Sequence, residues 1–268
     1  MCSFDPRTTK TMQKPFFPFS KLLIVLTLCA STACQRYFMP QTPKGQLVAV
    51  NDTVRAPDNL VSQRVAAYVK PYHDSLDAGM NTVLIKSARR LVKGQPESGM
   101  GNLLCDLFRE MGSTKYGKPI DVALTNSGGI RTEWQAGNIT TGNVYEVMPF
   151  DNALVVLTLS GAQMKAFVEE FAKRKDPQAG MKVVIENTTN QVLELSIGEQ
   201  PLDPQKTYTL ITSDYVATSS DYAPIFKNPV SYQVLNYLMR DAILDYLRLK
   251  GEQKMVLDPQ KDGRTSVR

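Results

Sequence analysis

The spacing of apolar and polar positions predicts a chain of mixed strands and helices. Short apolar runs typical of strands occupy residues 81–86, 120–124, 154–159, 181–186, 192–197 and 208–212. Helical spacing follows Asp58, Ser98 and Ser160 and covers residues 232–249. Strands and helices in this order predict a single α+β domain, residues 58–268, with a mixed sheet and flanking helices.

Capping and helix-breaking residues within the pattern predict where the helices begin and end. Ser160 and Gln163 have the spacing of a capping box, so a helix is expected to begin there. The helix that begins at Ser98 is expected to close before Gly112. Pro71 lacks an amide hydrogen and is expected to kink or end the first helix.

The first 57 residues predict an export and anchoring segment. The apolar run 22–30 follows a basic stretch and is too short to span a bilayer. The text Ser31-Thr-Ala-Cys34 comes next and resembles the lipobox of bacterial lipoproteins, with Ser31 in place of the usual leucine. We therefore expect a lipoprotein signal peptide at residues 1–33, a lipid anchor on Cys34, a tether over 34–57 and a location in a bacterial cell envelope. Plain secretion and a retained anchor helix are the alternatives.

Charge and composition argue against a nucleic acid polymer as the partner. The chain has 268 residues, 43% of them apolar, and a formal net charge of +5. Its first 33 residues hold four basic residues and one acidic residue, so the remainder carries about +2 and has no long basic run. An ordinary solvated surface explains this balance.

Cysteine and histidine usage argues against a disulfide framework and against a metal centre. Cys2 and Cys29 would leave with the signal peptide and Cys34 would carry lipid. Cys105 then has no disulfide partner and is expected to be a small buried apolar residue. The single histidine, His73, lies among polar residues and is expected at the surface. Because a two-metal phosphatase centre needs several histidines and bridging carboxylates, we predict no catalytic and no metal-binding residue in this chain.

The candidate chemistry follows the apolar run that ends at Leu124. Asn126-Ser-Gly-Gly129 predicts a tight turn, which places an amide and Arg131 at a strand end, where open α/β sheets hold ligands. Phe150 offers an aromatic face further along the chain. An amide, a guanidinium group and a ring together suit a ligand with a base and an anionic group. The plainer alternatives are a turn-forming asparagine, a surface ion pair of Arg131 with Glu133, and a core phenylalanine.

Five segments extend this pattern along the chain. They read Pro96-Glu-Ser-Gly-Met-Gly-Asn-Leu-Leu-Cys-Asp106, Asp121-Val-Ala-Leu-Thr-Asn-Ser-Gly-Gly-Ile-Arg131, Gly137-Asn-Ile-Thr140, Val144-Tyr-Glu-Val-Met-Pro-Phe-Asp-Asn152 and Leu159-Ser-Gly-Ala-Gln163. In order and spacing, residues 82–225 resemble the C-terminal domain of the 5'-nucleotidase family, which includes UDP-sugar hydrolases and 2',3'-cyclic phosphodiesterases. Members of that family join this domain, through a helix, to an N-terminal metallophosphatase domain that holds two metal ions.

The resemblance implies a substrate-binding site of seven residues: Asn126, Gly128, Gly129, Arg131, Phe150, Tyr215 and Asp221. In the family pattern Phe150 and Tyr215 stack on the two faces of a base, and Asp221 accepts ribose hydroxyls. Arg131 contacts phosphate or sugar, and the amide of Asn126 matches a base edge. Gly128 and Gly129 have no side chain and therefore permit the tight turn of the backbone at this point. The plainer alternative for Tyr215 is a half-buried loop anchor.

Two departures from the family pattern concern the ribose and the phosphate. Ser219-Ser220 stands where the family usually has two glycines, and a positive φ there would strain serine and displace Asp221. The additional arginine expected upstream of Gly101-Asn102 is absent, and Lys93 is the nearby cation considered in its place.

We interpret the chain as the substrate-recognition half of such an enzyme, with residues 58–80 as a leftover connector helix. The first hypothesis is a lipid-anchored nucleotide-recognition subunit that acts in nucleotide catabolism with a separate metallophosphatase. The divalent metals would then belong to that partner, and this chain would need no cofactor. The second is a stand-alone lipoprotein that binds nucleosides or nucleotides without hydrolysis, and the third is a relic domain with a structural role.

Overall fold

The structure is a computed structural model that describes residues 60–268, with side chains from residue 63 onward. The predicted signal peptide at 1–33, the lipid-bearing Cys34, the tether at 34–57 and the helix start at Asp58 lie outside the described residues and stay predictions. Within the described part, no helix has both the length and the apolar character needed to cross a bilayer.

Helices and strands alternate through the described residues, as the sequence pattern predicts. The helices are α1 (Leu60–Met80), α2 (Gly99–Tyr116), α3 (Thr141–Val147), α4 (Gly161–Arg174), α5 (Asp214–Ser219), α6 (Ala223–Phe226) and α7 (Met239–Glu252). The strands are β1 (Val83–Ser87), β2 (Val122–Leu124), β3 (Gly137–Thr140), β4 (Ala153–Ser160), β5 (Gln178–Ala179), β6 (Met181–Ile185), β7 (Val192–Ile197), β8 (Gln200–Pro201), β9 (Thr207–Ser213), β10 (Ser231–Leu238), β11 (Val256–Leu257) and β12 (Thr265–Val267). Each of the six strands predicted from the sequence is present.

The strands form three sheets with both parallel and antiparallel pairs. The central sheet has the order β10-β4-β9-β2-β5, in which β2 and β9 run parallel and the other neighbours antiparallel. A three-stranded sheet has the order β11-β1-β3, and a four-stranded sheet has the order β12-β6-β7-β8. The α+β class with mixed sheets and flanking helices is confirmed.

Alternate residues of β4 face two different cores. Leu154 and Val156 pack in a cluster with residues of α2 and α7. Val155, Leu157 and Leu159 pack in a second cluster with residues of α4. Successive side chains of a strand point to opposite faces of its sheet. The central sheet therefore lies between α2 and α7 on one face and α4 on the other.

Side-chain caps fix the starts of the helices that flank this sheet. The Ser160 hydroxyl accepts the backbone N–H of Gln163, and the Gln163 side chain accepts the backbone N–H of Ser160. This confirms the predicted capping box. At the start of α2, Ser98 Oγ accepts the backbone N–H of Gly101 at 3.1 Å. A second capping box, formed by Thr140 and Asn143 at the start of α3, was not predicted from the sequence.

One predicted helix end is wrong. Helix α2 does not close before Gly112 but continues to Tyr116 and ends at Gly117, which has φ +77°. A Cβ on Gly112 would lie 2.1 Å from Ile211 Cδ1, so this glycine permits close packing of α2 on β9. For Pro71 the prediction is a kink or an end, and the structure excludes the end, because helix α1 continues to Met80. Proline removes one hydrogen bond from a helix, and the turns on both sides of Pro71 keep the helical path.

The predicted helix over residues 232–249 is wrong in its first part. Residues 231–238 form β10, which pairs antiparallel with β4, and the helix α7 begins at Met239. Val234, Leu235 and Leu238 fit a helical stripe, but Tyr232 and Val234 also suit a strand. The backbone groups of β4 are available at the edge of the central sheet, and pairing with them decides the outcome.

The structure confirms the predicted surroundings of Cys105 and His73. Cys105 is a free, fully buried cysteine on α2, and burial raises the pKa of its thiol far above the ordinary value. His73 lies exposed on α1 with Nδ1 3.2 Å from a carboxylate oxygen of Asp77. Among the described residues, no three histidine, cysteine or acidic side chains are grouped closely enough to hold a metal ion.

Candidate functional site

The turn after β2 is built from main-chain hydrogen bonds. Residues Ser127–Gly129 form one turn of 3₁₀ helix, in which the amide of Gly129 donates to the carbonyl of Asn126 at 2.9 Å. The amide of Arg131 donates to the carbonyl of Val147, at the end of α3, at 3.0 Å. These bonds place the turn residues at the end of a buried strand, as the sequence predicts.

The glycines of this turn provide space rather than an unusual backbone conformation. Neither Gly128 nor Gly129 has a positive φ. A Cβ on Gly129 would lie 2.9 Å from Asn126 Oδ1, closer than real contacts allow. The missing side chain of Gly129 therefore leaves room for the amide of Asn126 over the turn.

A pocket of about 470 Å³ opens beside this turn, which is a volume typical of small-molecule sites. The residues that line it are Asn126, Gly128, Gly129, Arg131, Phe150, Asn152 and Tyr215. Six of the seven residues predicted from the sequence thus lie around one cavity, although they come from three separate segments of the chain. Asp221 is not among the lining residues.

Arg131 is directed towards the pocket by its own turn. Its Nη1 donates to the carbonyl of Gly128 at 3.2 Å, and its guanidinium carbon lies 5.9 Å from the centre of the Phe150 ring. The alternative ion pair with Glu133 is not formed, because Glu133 accepts from Nη2 of Arg90 at 2.7 Å. The guanidinium group keeps donors that can bind an anionic ligand group.

Phe150 and Tyr215 are aromatic side chains left partly open to solvent. Their exposed fractions are 40% and 47%, so Phe150 is not a core residue, and Tyr215 is half-buried, which fits both a stacking ring and the plainer alternative of a loop anchor. Tyr215 lies in the first turn of α5, whose start is capped by the hydroxyl of Ser213. Two exposed rings around one cavity can cover the faces of a planar ligand.

Asp221 forms an ion pair and does not line the pocket. Its carboxylate pairs with Nη2 of Arg174 at the end of α4, and its side chain is 67% exposed. Arg174 is distant in sequence, so no local pattern shows this contact. The structure does not bring Asp221 together with the other six predicted residues.

The Ser219-Ser220 segment does not have the strained backbone considered in the sequence analysis. Ser220 has φ −91°, which any residue adopts, and Ser219 ends α5. The hydroxyl of Ser220 donates to the carbonyl of Val216 at 2.6 Å and accepts the amide of Tyr222 at 3.1 Å. Serine thus stabilises this turn by its own hydrogen bonds.

Asn152 is a pocket residue that the sequence analysis quoted but did not assign. It follows Phe150 by two positions and lines the same cavity, and its carbonyl accepts the amide of Met239 at 2.9 Å. Its side-chain amide carries both a donor and an acceptor. Its position two residues after Phe150 is the sequence feature that could have predicted its place in the pocket.

Lys93 lies on the opposite side of the glycine turn. A neighbouring cavity of about 390 Å³ is lined by Lys93, Gln95, Ser127, Pro177 and others, and it shares Gly128 with the first pocket. Lys93 Nζ donates to the carbonyl of Ile130 at 3.2 Å. A cation therefore stands near the turn where the family pattern has an arginine, but it does not line the aromatic pocket.

A larger depression of about 700 Å³ lies at the C-terminal half of α2. Asp106, Arg109, Glu110, Lys118 and their neighbours line it, without any aromatic side chain. It is wide open and offers no ring to stack on a base. The smaller cavity beside the glycine turn is therefore the candidate site.

Comparisons with known proteins agree with the fold. Residues 78–228 match the family model of the 5'-nucleotidase C-terminal domain. UshA of Escherichia coli K12 is 25% identical over 202 residues, which cover 72% of this chain and 36% of that protein. The trifunctional nucleotide phosphoesterase protein YfkN of Bacillus subtilis 168 is 28% identical over 202 residues, which cover 69% of this chain and 13% of YfkN.

Solved structures likewise match this chain over only part of their own length. The 5'-nucleotidase precursor from Thermus thermophilus superimposes with a TM-score of 0.63 and 26% identity, over 77% of this chain and 42% of that one. The NAD nucleotidase of Haemophilus influenzae shares the fold, with a TM-score of 0.58 and 15% identity over 76% of this chain and 41% of that one. The matched region thus spans between 13% and 42% of the length of these relatives, and it matches the C-terminal part of UshA and YfkN.

Proposed function

Because the chain belongs to the 5'-nucleotidase family through its C-terminal domain, we propose that it is the nucleotide-recognition half of a 5'-nucleotidase-type hydrolase. A separate metallophosphatase would supply the divalent metal ions and the hydrolytic step. The observation that carries the proposal is the pocket beside the glycine turn, where two exposed rings, two amides and a guanidinium group lie around one cavity.

Each group in the pocket has a chemical task in this proposal. Phe150 and Tyr215 cover the two faces of the base, because stacking needs an exposed ring and both side chains provide one. The amides of Asn126 and Asn152 hydrogen-bond to polar edges of the ligand. Arg131 binds the phosphate, since its planar group can form two parallel hydrogen bonds to an oxyanion. The predicted contact of a carboxylate with ribose requires the pair between Asp221 and Arg174 to open.

The proposed division of tasks between this chain and a metallophosphatase follows from what ligand binding alone can contribute to hydrolysis. Binding the nucleoside orients the phosphate, and orientation alone lowers the barrier for a reaction carried out by a second protein. Activation of water at neutral pH requires metal ions held by several ligands, and no group of side chains in residues 63–268 is arranged to hold one. We therefore assign the hydrolytic centre to the partner.

Helix α1 is the proposed docking surface for that partner. One face of the helix carries large apolar side chains that are exposed: Val65, Tyr68, Val69, Tyr72 and Leu76. Exposed apolar patches of this kind mark interaction sites. The family match begins at residue 78, so this face lies at the N-terminal border of the matched region. A lipid anchor on Cys34 would hold the assembly in the cell envelope.

The test is a reconstitution with purified components. The protein is mixed with AMP and divalent metal salts, with and without the metallophosphatase encoded nearest to it, and phosphate release is measured. We expect negligible release by the protein alone and faster release by the phosphatase when this protein is added. A variant with Tyr68→Ser and Tyr72→Ser should lose this acceleration but still bind adenosine, whereas Lys70→Ser, from the same helix, should keep both.

The remaining outcomes each select a different function. AMP hydrolysis at an enzyme-like rate by this protein alone would overturn the proposal. Adenosine binding without any effect on the phosphatase would favour the stand-alone binding lipoprotein. Absence of nucleoside and nucleotide binding would favour the relic domain.

A further inference from the structure

A buried carboxylate connects the two segments that flank the pocket. Asp176 follows α4 and is only 7% exposed. Its Oδ1 accepts both the amide of Ser127, at 2.8 Å, and the Ser127 hydroxyl, at 2.7 Å. Its Oδ2 accepts the phenol hydroxyl of Tyr222 at 3.1 Å. We call these three residues the Asp176 bridge.

Each end of the bridge belongs to a segment that supplies pocket residues. Ser127 lies within the glycine turn, between Asn126 and Gly128, and both of these line the cavity. Tyr222 follows α5, the helix that carries Tyr215 on the other side of the cavity. One carboxylate is therefore bonded to both sides of the pocket, although neither Asp176 nor Tyr222 lines it.

The Tyr222 end of the bridge is fixed in the core. The side chain is 1% exposed, and its ring packs on Phe226 and Phe167 with centroid distances of 5.9 and 5.6 Å. Burial, together with the negative charge of Asp176, raises the pKa of the Tyr222 phenol. The phenol keeps its proton throughout the physiological range and remains a donor to Asp176.

A buried carboxylate has a large desolvation cost, which its hydrogen bonds offset only when all of them are kept. The three donors to Asp176 come from two residues that are far apart in sequence. Movement of either segment would stretch these bonds and leave the buried carboxylate without its full set of hydrogen-bond donors. The pairing of β2 with β9 sets where the two segments begin, and the Asp176 side chain restrains the distance between them beyond those strand ends.

We propose that Asp176 is a positioning residue, which sets the separation between the glycine turn and α5 and thereby the affinity for the nucleoside. The inference rests on the proposed function of the pocket. Loss of the Tyr222 hydroxyl removes none of the groups that line the pocket but releases one restraint on the position of α5 relative to the turn.

The test compares two matched tyrosine substitutions by titration calorimetry with adenosine. Tyr222→Phe removes the hydroxyl donated to Asp176 and keeps the packed ring. The control is Tyr237→Phe, because Tyr237 is 6% exposed and donates to Asp245 at 2.8 Å in the other core cluster. We expect Tyr222→Phe to weaken adenosine binding about 3- to 30-fold, the range for network residues that do not touch the ligand. Tyr237→Phe should lower the melting temperature about as much as Tyr222→Phe does, but it should leave the adenosine affinity unchanged.

A second measurement separates positioning from general stability. Amide resonances of Gly128 and Gly129 are recorded by NMR without ligand. Tyr222→Phe should shift both, although its side chain touches neither glycine, and Tyr237→Phe should shift neither. Asp176→Asn retains an acceptor for Ser127 and offers Tyr222 a donor, so it should recover most of the affinity that Asp176→Ala loses. If Asp176→Ala does not fold, the two tyrosine variants decide alone.

The outcomes distinguish this inference from the function on which it rests. Unchanged adenosine affinity and unchanged glycine resonances in Tyr222→Phe would overturn the role of the Asp176 bridge and leave nucleotide recognition standing. Failure of the unsubstituted protein to bind adenosine or AMP would overturn both.

Discussion

The two sides of the pocket are held in place by different kinds of interaction. The turn side, which comprises Asn126 to Arg131 with Phe150 against Arg131, is fixed by main-chain hydrogen bonds and by buried Gly129 and Ile130. The α5 side, Tyr215 to Asp221, is one short helix that continues directly from β9, packs on the core through buried Val216 and Ala217, and is linked to the turn by the side chains of the Asp176 bridge. A turn held by main-chain hydrogen bonds presents its groups ready for a ligand, whereas a short helix that is joined to the sheet only at its start and held elsewhere by side chains can adjust.

This difference has an energetic consequence for recognition. A preformed contact loses little conformational entropy on binding, so most of its interaction energy appears as affinity. A contact from an adjustable segment must first be ordered, and the ordering cost reduces its net contribution. We therefore expect substitutions on the turn side to have larger effects than equivalent substitutions on the α5 side.

The largest expected effect is that of Arg131→Ala on phosphate recognition. AMP binding should weaken by about 1.5–3 kcal/mol, the usual value of hydrogen bonds to a charged group, while adenosine binding changes much less. Titration calorimetry with both ligands measures the difference. Arg90→Ala is the matched control, because Arg90 is a nearby arginine already paired with Glu133. Equal losses for AMP and adenosine would remove the phosphate role.

Phe150→Ala should have the next largest effect, on the base. Loss of a preformed stacking ring is expected to cost about 2 kcal/mol, or roughly thirtyfold in adenosine affinity. Phe150→Tyr keeps the ring and should bind almost as the unsubstituted protein does. If Phe150→Ala bound adenosine as tightly as the unsubstituted protein, the base would not stack on Phe150.

Tyr215→Ala tests the adjustable side and should cost less than Phe150→Ala. We expect about 1 kcal/mol, roughly fivefold, because part of the stacking energy is spent on ordering the side chain. Tyr215→Phe provides the control that keeps the ring. If Tyr215→Ala lost more affinity than Phe150→Ala, the contrast between the two sides would be wrong.

Asp221→Asn should have the smallest effect. The carboxylate is exposed and pairs with Arg174, so its removal is expected to change adenosine affinity by less than about twofold and stability little. Comparison of adenosine with 2',3'-dideoxyadenosine isolates the ribose hydroxyls. A tenfold loss for adenosine alone would mean that the segment rearranges around the ribose.

Local patterns in the sequence predicted the parts of the site that depend on local geometry. The end of β2, the glycine turn and the position of Arg131 follow from an apolar run and two adjacent glycines. The aromatic residues came from the family resemblance, which places them on separate segments. The contact between Asp221 and Arg174 was missed because it joins segments that are distant in the chain.

The wrong predictions share one physical cause, which is the influence of tertiary neighbours. Residues 231–238 carry a pattern compatible with a helix, but the open edge of β4 offers backbone partners and converts them to a strand. Gly112 looks like a helix end in sequence, yet the approach of β9 requires a glycine in the middle of α2. Neither neighbour can be identified from residues close in the chain.

The burial of Cys105 gives the protein an internal reporter of global opening. A thiol reagent reaches its sulfur when α2 separates from the central sheet, and the thiolate needed for the reaction is disfavoured until then. The labelling rate, measured with and without adenosine, therefore gives the stabilisation that the ligand confers on the native state. In the full chain, Cys2, Cys29 and Cys34 are replaced by serine, so that Cys105 is the only thiol that the reagent can label.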